Sequence, residues 1–168
     1  MDISLSAALK QIGEQFSFSM SGEFSKQEFG GRSIDFIAPV SVDGVFSYDG
    51  ETVNVTAKVC VLLSSVCARC GKAFDEQIQY NMNETYVKAS AYDPDSDTYP
   101  FSGDTLSLDC AVLDNLYLSL PIVSVCRSDC KGVCPVCGMD RNVTECGCMV
   151  PDPSNPFSVL QSTFINDD

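Results

Sequence analysis

Six cysteines fall within 23 residues, from Cys126 to Cys148. The stretch reads Cys-Arg-Ser-Asp-Cys-Lys-Gly-Val-Cys-Pro-Val-Cys-Gly-Met-Asp-Arg-Asn-Val-Thr-Glu-Cys-Gly-Cys, with too few apolar side chains to make a core of its own. A segment of that kind needs a staple other than hydrophobic burial. A structural zinc ion supplies one. It takes four thiolates about 2.3 Å away in a tetrahedron, and its binding free energy, on the order of 10–16 kcal/mol, becomes folding free energy. Cys134-Pro-Val-Cys137-Gly138 suits the role best. Two sulfurs at this spacing converge on one point, the glycine lets the backbone curl, and Pro135 stiffens the turn.

The spacing predicts a metal but leaves its full ligand set open. With Cys134 and Cys137 as one pair, the other two ligands come from Cys126, Cys130, Cys146 and Cys148 in a local site. The alternative is a ribbon-like site across the chain, in which Cys67 and Cys70 of Cys67-Ala-Arg-Cys70-Gly71 join Cys134 and Cys137. The four remaining C-terminal cysteines are then free for a second ion. Zinc is the expected metal, and iron in a rubredoxin-like electron carrier is the rival. Thiol–disulfide catalysis at Cys67/Cys70 is disfavoured, because a redox motif places its first cysteine at a helix N-terminus and this pair lies between strands.

Charge and composition narrow the function. Ten Lys and Arg stand against 23 Asp and Glu, a formal charge of −13. Such a chain repels a phosphate backbone unless its basic residues share a face, and along the sequence they are scattered. A basic protein partner fits better, or a zinc-dependent nucleic-acid binder if a basic face forms. The sequence contains no histidine, which removes histidine triads and the usual near-neutral proton shuttle. With no nucleophile–base pairing or phosphate loop either, a non-enzyme is expected. The first ten residues lack the charged and apolar blocks of a signal peptide. The longest apolar run, residues 59–63, is too short to span a membrane. The expected location is the cytoplasm, where ten cysteines call for metal rather than disulfides.

The pattern before the cysteines is β-rich. Residues 4–12 read as a short helix carrying Leu5, Leu9 and Ile12 on one face. Residues 14–24 alternate as a strand, and Gly30-Gly31 is a break. Residues 34–48 are extended, with bends at Pro39 and Gly44. Asp49-Gly50 then predicts a type I′ hairpin into a strand over 52–66, whose Val53, Val55, Ala57, Val59 and Val61 share a face. A third strand carries Phe74, Ile78, Tyr80, Met82 and Tyr86, completing an antiparallel meander with Cys67/Cys70 at one tip. Residues 93–104 are an acidic solvated loop. A helix over 108–120 starts at Asp109 as N-cap and stops at Pro121. Cys60 and Cys110 read as buried small hydrophobes, and residues 155–164 as a short helix.

Several of these features occur together in one known family. Cys67-Ala-Arg-Cys-Gly-Lys-Ala-Phe74, an Asp-started helix ending in Leu-Pro, the run from Cys126 to Gly138 and Asn155-Pro-Phe-Ser-Val-Leu160 follow in order. In this the chain resembles the YceD family, the large ribosomal RNA subunit accumulation proteins of bacteria and plastids. The resemblance implies a role in accumulation or assembly of large-subunit ribosomal RNA and carries no catalytic residues. It implies a ribosomal protein or assembly factor as partner, with direct RNA contact left open. Since many members lack the C-terminal cysteines, it points to Cys67, Arg69 and Cys70 as the family's shared motif and to the C-terminal metal as a stabiliser.

The expected architecture is α+β: an antiparallel β-rich core with one main helix over residues 1–125, a cysteine-rich metal-binding segment over 126–150 and a tail over 151–168, one domain overall. The expected function is that of a non-catalytic ribosome-biogenesis accessory protein.

Overall fold

A computed structural model describes residues 1–148, so the tail and the helix expected over 155–164 lie outside the described residues. The elements in chain order are β1 (Asp2–Ser4), β2 (Gln15–Gly22), β3 (Gln27–Phe29), β4 (Arg32–Phe36), β5 (Val40–Tyr48), β6 (Thr52–Val66), β7 (Ala73–Lys88), β8 (Tyr99–Phe101), β9 (Thr105–Ser107) and α1 (Asp109–Ser119). Among the described residues the fold is mostly antiparallel β with one α-helix, as expected.

The chain divides into two compact units. The first comprises Met1–Ser65 and Phe74–Ser124 and holds the sheet and α1. β2 pairs antiparallel with β5, β5 with β6 and β6 with β4, while β7 pairs with β6. The strict alternation of β6 puts Val53, Val55, Ala57, Val59, Val61 and Leu63 on one buried face, where they meet Ile78, Tyr80, Met82 and Tyr86 of β7 in a single core. α1 adds Ala111, Val112 and Leu116 to it. The buried Tyr80 hydroxyl donates to the Val112 carbonyl at 2.6 Å, tying helix to sheet.

Local chemistry explains the departures from expectation. Residues 4–12 contain the last residue of β1 and a single 3-10 turn, Ala8–Lys10; Leu5 and Ala8 are buried and Ile12 is exposed. β1 is held by β9 instead of winding up. Pro39 does separate β4 from β5, whereas Gly44 sits inside β5 opposite Ala57, where a Cβ would lie 2.7 Å from the alanine's. Among the described residues only glycines have positive φ. The turn after β5 therefore uses one left-handed residue, Gly50 at +109°, and not the pair of a type I′ turn. Asp49 instead accepts the Glu51 and Thr52 backbone N–H groups at 2.9 and 2.7 Å.

The acidic stretch over 93–104 is not all loop: it contains β8, which runs parallel to β7, and β9, just beyond it, pairs with β1. Asp109 is the first residue of α1 and not its cap. Its carboxylate takes the Met1 ammonium at 2.5 Å. α1 ends at Ser119, and Leu120 is extended, as expected of a residue before proline. Neither Cys60 nor Cys110 is a core residue. Cys60 lies half-buried on the face of β6 opposite Val59 and Val61, receiving the Gln77 amide at 3.1 Å, and Cys110 is exposed.

The second unit comprises Val66–Ala73 and the chain from Val125. The expected cut at 125 thus misses one piece: the turn between β6 and β7 groups with the cysteine segment. Among the described residues of this unit, the only buried ones are Cys67, Cys70, Cys130, Gly132 and Cys134. Val133, Val136, Met139 and Val143 are all exposed.

Candidate metal centre

The second unit contains two turns of the same build. In the first, the Cys67 N–H donates to the Lys72 carbonyl at 2.9 Å and the Gly71 N–H to the Cys67 carbonyl at 2.8 Å. In the second, the Cys134 N–H donates to the Met139 carbonyl at 2.8 Å and the Gly138 N–H to the Cys134 carbonyl at 2.8 Å. Gly71 and Gly138 hold φ of +71° and +72°, a conformation that costs a side-chain-bearing residue strain. This is why glycine follows the second cysteine in both.

Eight of the ten cysteines gather in two fours, Cys67/Cys70/Cys126/Cys130 and Cys134/Cys137/Cys146/Cys148, the sulfurs of each lying within 4.8 Å of one another. In the first four, Cys67 Sγ is 3.9 Å from Cys130 Sγ, and Cys70 Sγ is 3.8 Å from Cys126 Sγ. These separations are far beyond a disulfide bond of about 2.05 Å. They match the edge of about 3.8 Å in a tetrahedron whose sulfurs stand about 2.3 Å from a central ion. Both clusters are placed to hold a metal ion, and the all-sulfur donor set suits a soft, tetrahedral one.

The structure brings together Cys134, Cys137, Cys146 and Cys148, one of the local combinations, and leaves Cys126 and Cys130 out of that group. The ribbon arrangement is not formed. Cys67 and Cys70 meet Cys126 and Cys130 rather than Cys134 and Cys137. The first turn is tied to the 126–130 loop by the Arg69 guanidinium, which donates to carbonyls of that loop, and the Val133 N–H also donates to the Arg69 carbonyl at 3.0 Å.

Four side chains that spacing alone does not single out as supports hold these groups. Arg69, read from the sequence as part of a shared functional motif, here spans the 126–130 loop, donating to the Ser128 and Cys130 carbonyls at 3.1 and 3.0 Å. Asn142 donates to Cys130 Sγ at 3.5 Å and accepts the Lys131 N–H at 2.8 Å. Lys72 reaches Asp140 at 2.6 Å. No periodicity reports such contacts; only the fold joins them. Backbone N–H groups are aimed at the sulfurs as well. Those of Cys126, Cys70 and Arg69 hold the Cys67 thiol down to about 6, and those of Cys137 and Val136 do the same for Cys134. Burial pushes Cys126 up to about 12, and the neighbouring Cys137 thiol, with burial, pushes up Cys148 to about 12. An ion entering either four must displace the protons its thiols still carry.

Five of the ten basic residues, Arg69, Lys72, Arg127, Lys131 and Arg141, lie in this unit. They are less scattered than the sequence suggests. Lys72, Arg127 and Lys131 are paired with Asp140, Asp129 and Glu145.

The family model for the large ribosomal RNA subunit accumulation protein YceD matches residues 55–162, more than half of the chain. The chain belongs to the YceD family. YceD membership associates it with accumulation of large-subunit ribosomal RNA, and the family's name describes an accessory role and no reaction. The chain is 28% identical to an uncharacterised protein of Mycobacterium leprae over 127 residues, 73% of this chain and 55% of that protein. It is 30% identical to uncharacterised proteins of Mycobacterium bovis and Mycobacterium tuberculosis over 93 residues, 53% of this chain and 45% of theirs. It thus spans about half the length of the curated relatives it matches. No solved structure matches it. Among the described residues no helix is long and apolar enough to cross a membrane.

Proposed function

We propose that this YceD protein is a non-catalytic, cytoplasmic accessory of large-subunit assembly. It supports accumulation of the 23S RNA through a protein partner, with zinc at Cys134, Cys137, Cys146 and Cys148 stabilising its C-terminal segment. One observation carries the reading: the family match over residues 55–162 takes in nearly all of β6, all of β7 and α1, and every cysteine of both fours.

Charge supports a protein partner over RNA. The formal charge is −13, three of the five basic side chains in the cysteine unit are already paired, and a zinc ion held by four thiolates adds a further −2. A ribosomal protein or basic assembly factor meets that surface favourably, while a phosphate backbone does not. The rubredoxin-like reading loses support because it needs both Cys-x-x-Cys-Gly turns around one iron, and the two turns belong to different fours.

The test is affinity purification of the tagged full chain from its own host, with depletion of the protein in parallel. We expect recovery of a large-subunit ribosomal protein or assembly factor, and a fall in 23S relative to 16S RNA on depletion. Recovery of no large-subunit component, with an unchanged RNA ratio, overturns the reading. Micromolar binding of mixed-sequence RNA with a steep salt dependence overturns the choice of a protein partner.

A further inference from the structure

We propose that Cys67, Cys70, Cys126 and Cys130 form a second, separate zinc centre, and that its ion is the internal core of the cysteine unit. The proposal rests on the zinc reading of the C-terminal four for the identity of the metal, and on its own sulfurs for everything else.

Burial is the first reason. Of the four cysteines buried in this unit, three, Cys67, Cys70 and Cys130, belong to this four. Cys137 of the C-terminal four is exposed. No aliphatic or aromatic side chain is buried among the described residues of the unit, so this part of the chain draws nothing from hydrophobic burial. Four thiols packed against one another with no metal and no disulfide would gain little from their burial. Four thiolates around a divalent ion gain the full coordination energy.

Geometry is the second. The four sulfurs converge with two measured edges of 3.9 and 3.8 Å, the dimension zinc requires. Hydrogen-bond donors surround them as they surround ligand thiolates. Asn142 Nδ2 points at Cys130 Sγ, and the Arg69 guanidinium fixes the loop that presents Cys126 and Cys130.

Separateness is the third. The two fours share no cysteine, and three residues, 131–133, lie between Cys130 and Cys134. Each four is complete for tetrahedral coordination without borrowing from the other. The ion of this centre also closes a loop that no covalent bond closes, joining residues 67–70 to residues 126–130. On zinc binding each thiol still protonated releases its proton to solvent, and no electron transfer is involved.

The experiment is zinc content of the full chain purified under reducing conditions, for wild type, Cys126→Ser and Cys148→Ser. We expect two ions per chain in wild type and one in each variant. Cobalt titration of the metal-depleted wild type is the second measurement and needs no variant: thiolate-to-cobalt charge-transfer absorption should rise linearly to two equivalents. Saturation at one equivalent, with a wild-type content of one ion that Cys126→Ser retains and Cys148→Ser loses, overturns the second centre and leaves the C-terminal reading standing. Loss of an ion in Cys126→Ser but not in Cys148→Ser upholds the second centre and overturns zinc at the C-terminal four. A metal-free wild type overturns both.

Discussion

The side-chain amide of Asn142 donates to the sulfur of Cys130 at 3.5 Å. Asn142 lies between Cys137 and Cys146, within the loop of the C-terminal four, yet its hydrogen bond serves a cysteine of the other four. It also accepts the Lys131 N–H and the Arg127 guanidinium, both at 2.8 Å. Replacing it removes a donor from a ligand sulfur, a change that typically weakens a metal site about 10–100-fold. Asn142→Ala should lower the zinc affinity of the Cys67/Cys70/Cys126/Cys130 centre by roughly tenfold in chelator competition. Asn142→Asp still accepts from Lys131 but sets a carboxylate against the thiolates, and should weaken the centre at least as much. Unchanged affinity in both variants would show that the amide contributes nothing to the sulfur.

The two fours differ in access. Cys137 is exposed, whereas Cys67, Cys70 and Cys130 are buried. A chelator should therefore strip zinc in two phases, the C-terminal four first. Stopped-flow release followed with a metal-sensitive dye checks this. In Cys148→Ser only the slow phase should remain, and in Cys126→Ser only the fast one.

Gly132 and Gly138 share nearly the same left-handed φ, +71° and +72°, but only one is crowded. A Cβ on Gly132 would lie 2.8 Å from the Arg69 carbonyl oxygen, while one on Gly138 would meet nothing within 4 Å. That oxygen cannot retreat without losing its bond from the Val133 N–H. Gly138→Ala should cost about 1 kcal/mol, the strain of a left-handed alanine. Gly132→Ala should cost about 2–3 kcal/mol, the same strain plus a lost or distorted backbone bond. Denaturant titration of the zinc-loaded variants, followed by thiolate absorption, should rank them in that order.

Asp49 provides a pH-dependent contribution in the strand body. The backbone N–H of Thr52, then that of Glu51, hold its carboxyl down to about 2 from an ordinary 3.8. A carboxyl lowered on folding stabilises the folded state above its unfolded value and loses that contribution as pH falls through its folded one. Asp49→Asn should therefore destabilise the chain at pH 7 and converge with wild type between about pH 4 and pH 2. Midpoints of denaturant unfolding at several pH values, compared between the two proteins, isolate the effect from metal loss, which both share. A constant difference down to pH 2 would refute it.

Much of the body was legible because its signals are local. The alternation of Val53 to Val61 is a period of two that only a half-buried strand satisfies, and Pro121 marks the stop of the helix, although the residues α1 buries, Ala111, Val112 and Leu116, are not the face that starts at Cys110. Cys60 stands on the solvent side of β6, out of phase with Val59 and Val61, while the helical spacing that includes Cys110 does not fix which face α1 buries, and Cys110 is exposed. The first residues escaped for a different reason. Nothing near Ile3 says that β9, a hundred residues on, will pair with it.

The cysteines show the same boundary. Cys134 and Cys137 announce themselves by spacing and glycine. Their grouping with Cys146 and Cys148, and that of Cys67 and Cys70 with Cys126 and Cys130, brings together separate segments of the chain, the latter two pairs more than fifty residues from each other. Spacing predicts which cysteines pair within a turn, but not which turns meet.

The interior of the second unit is sulfur where most proteins have hydrocarbon. Warmth and urea are accordingly not its chief hazards. With both ions in place as proposed, thiol oxidation or metal starvation is the injury this unit is built least to resist.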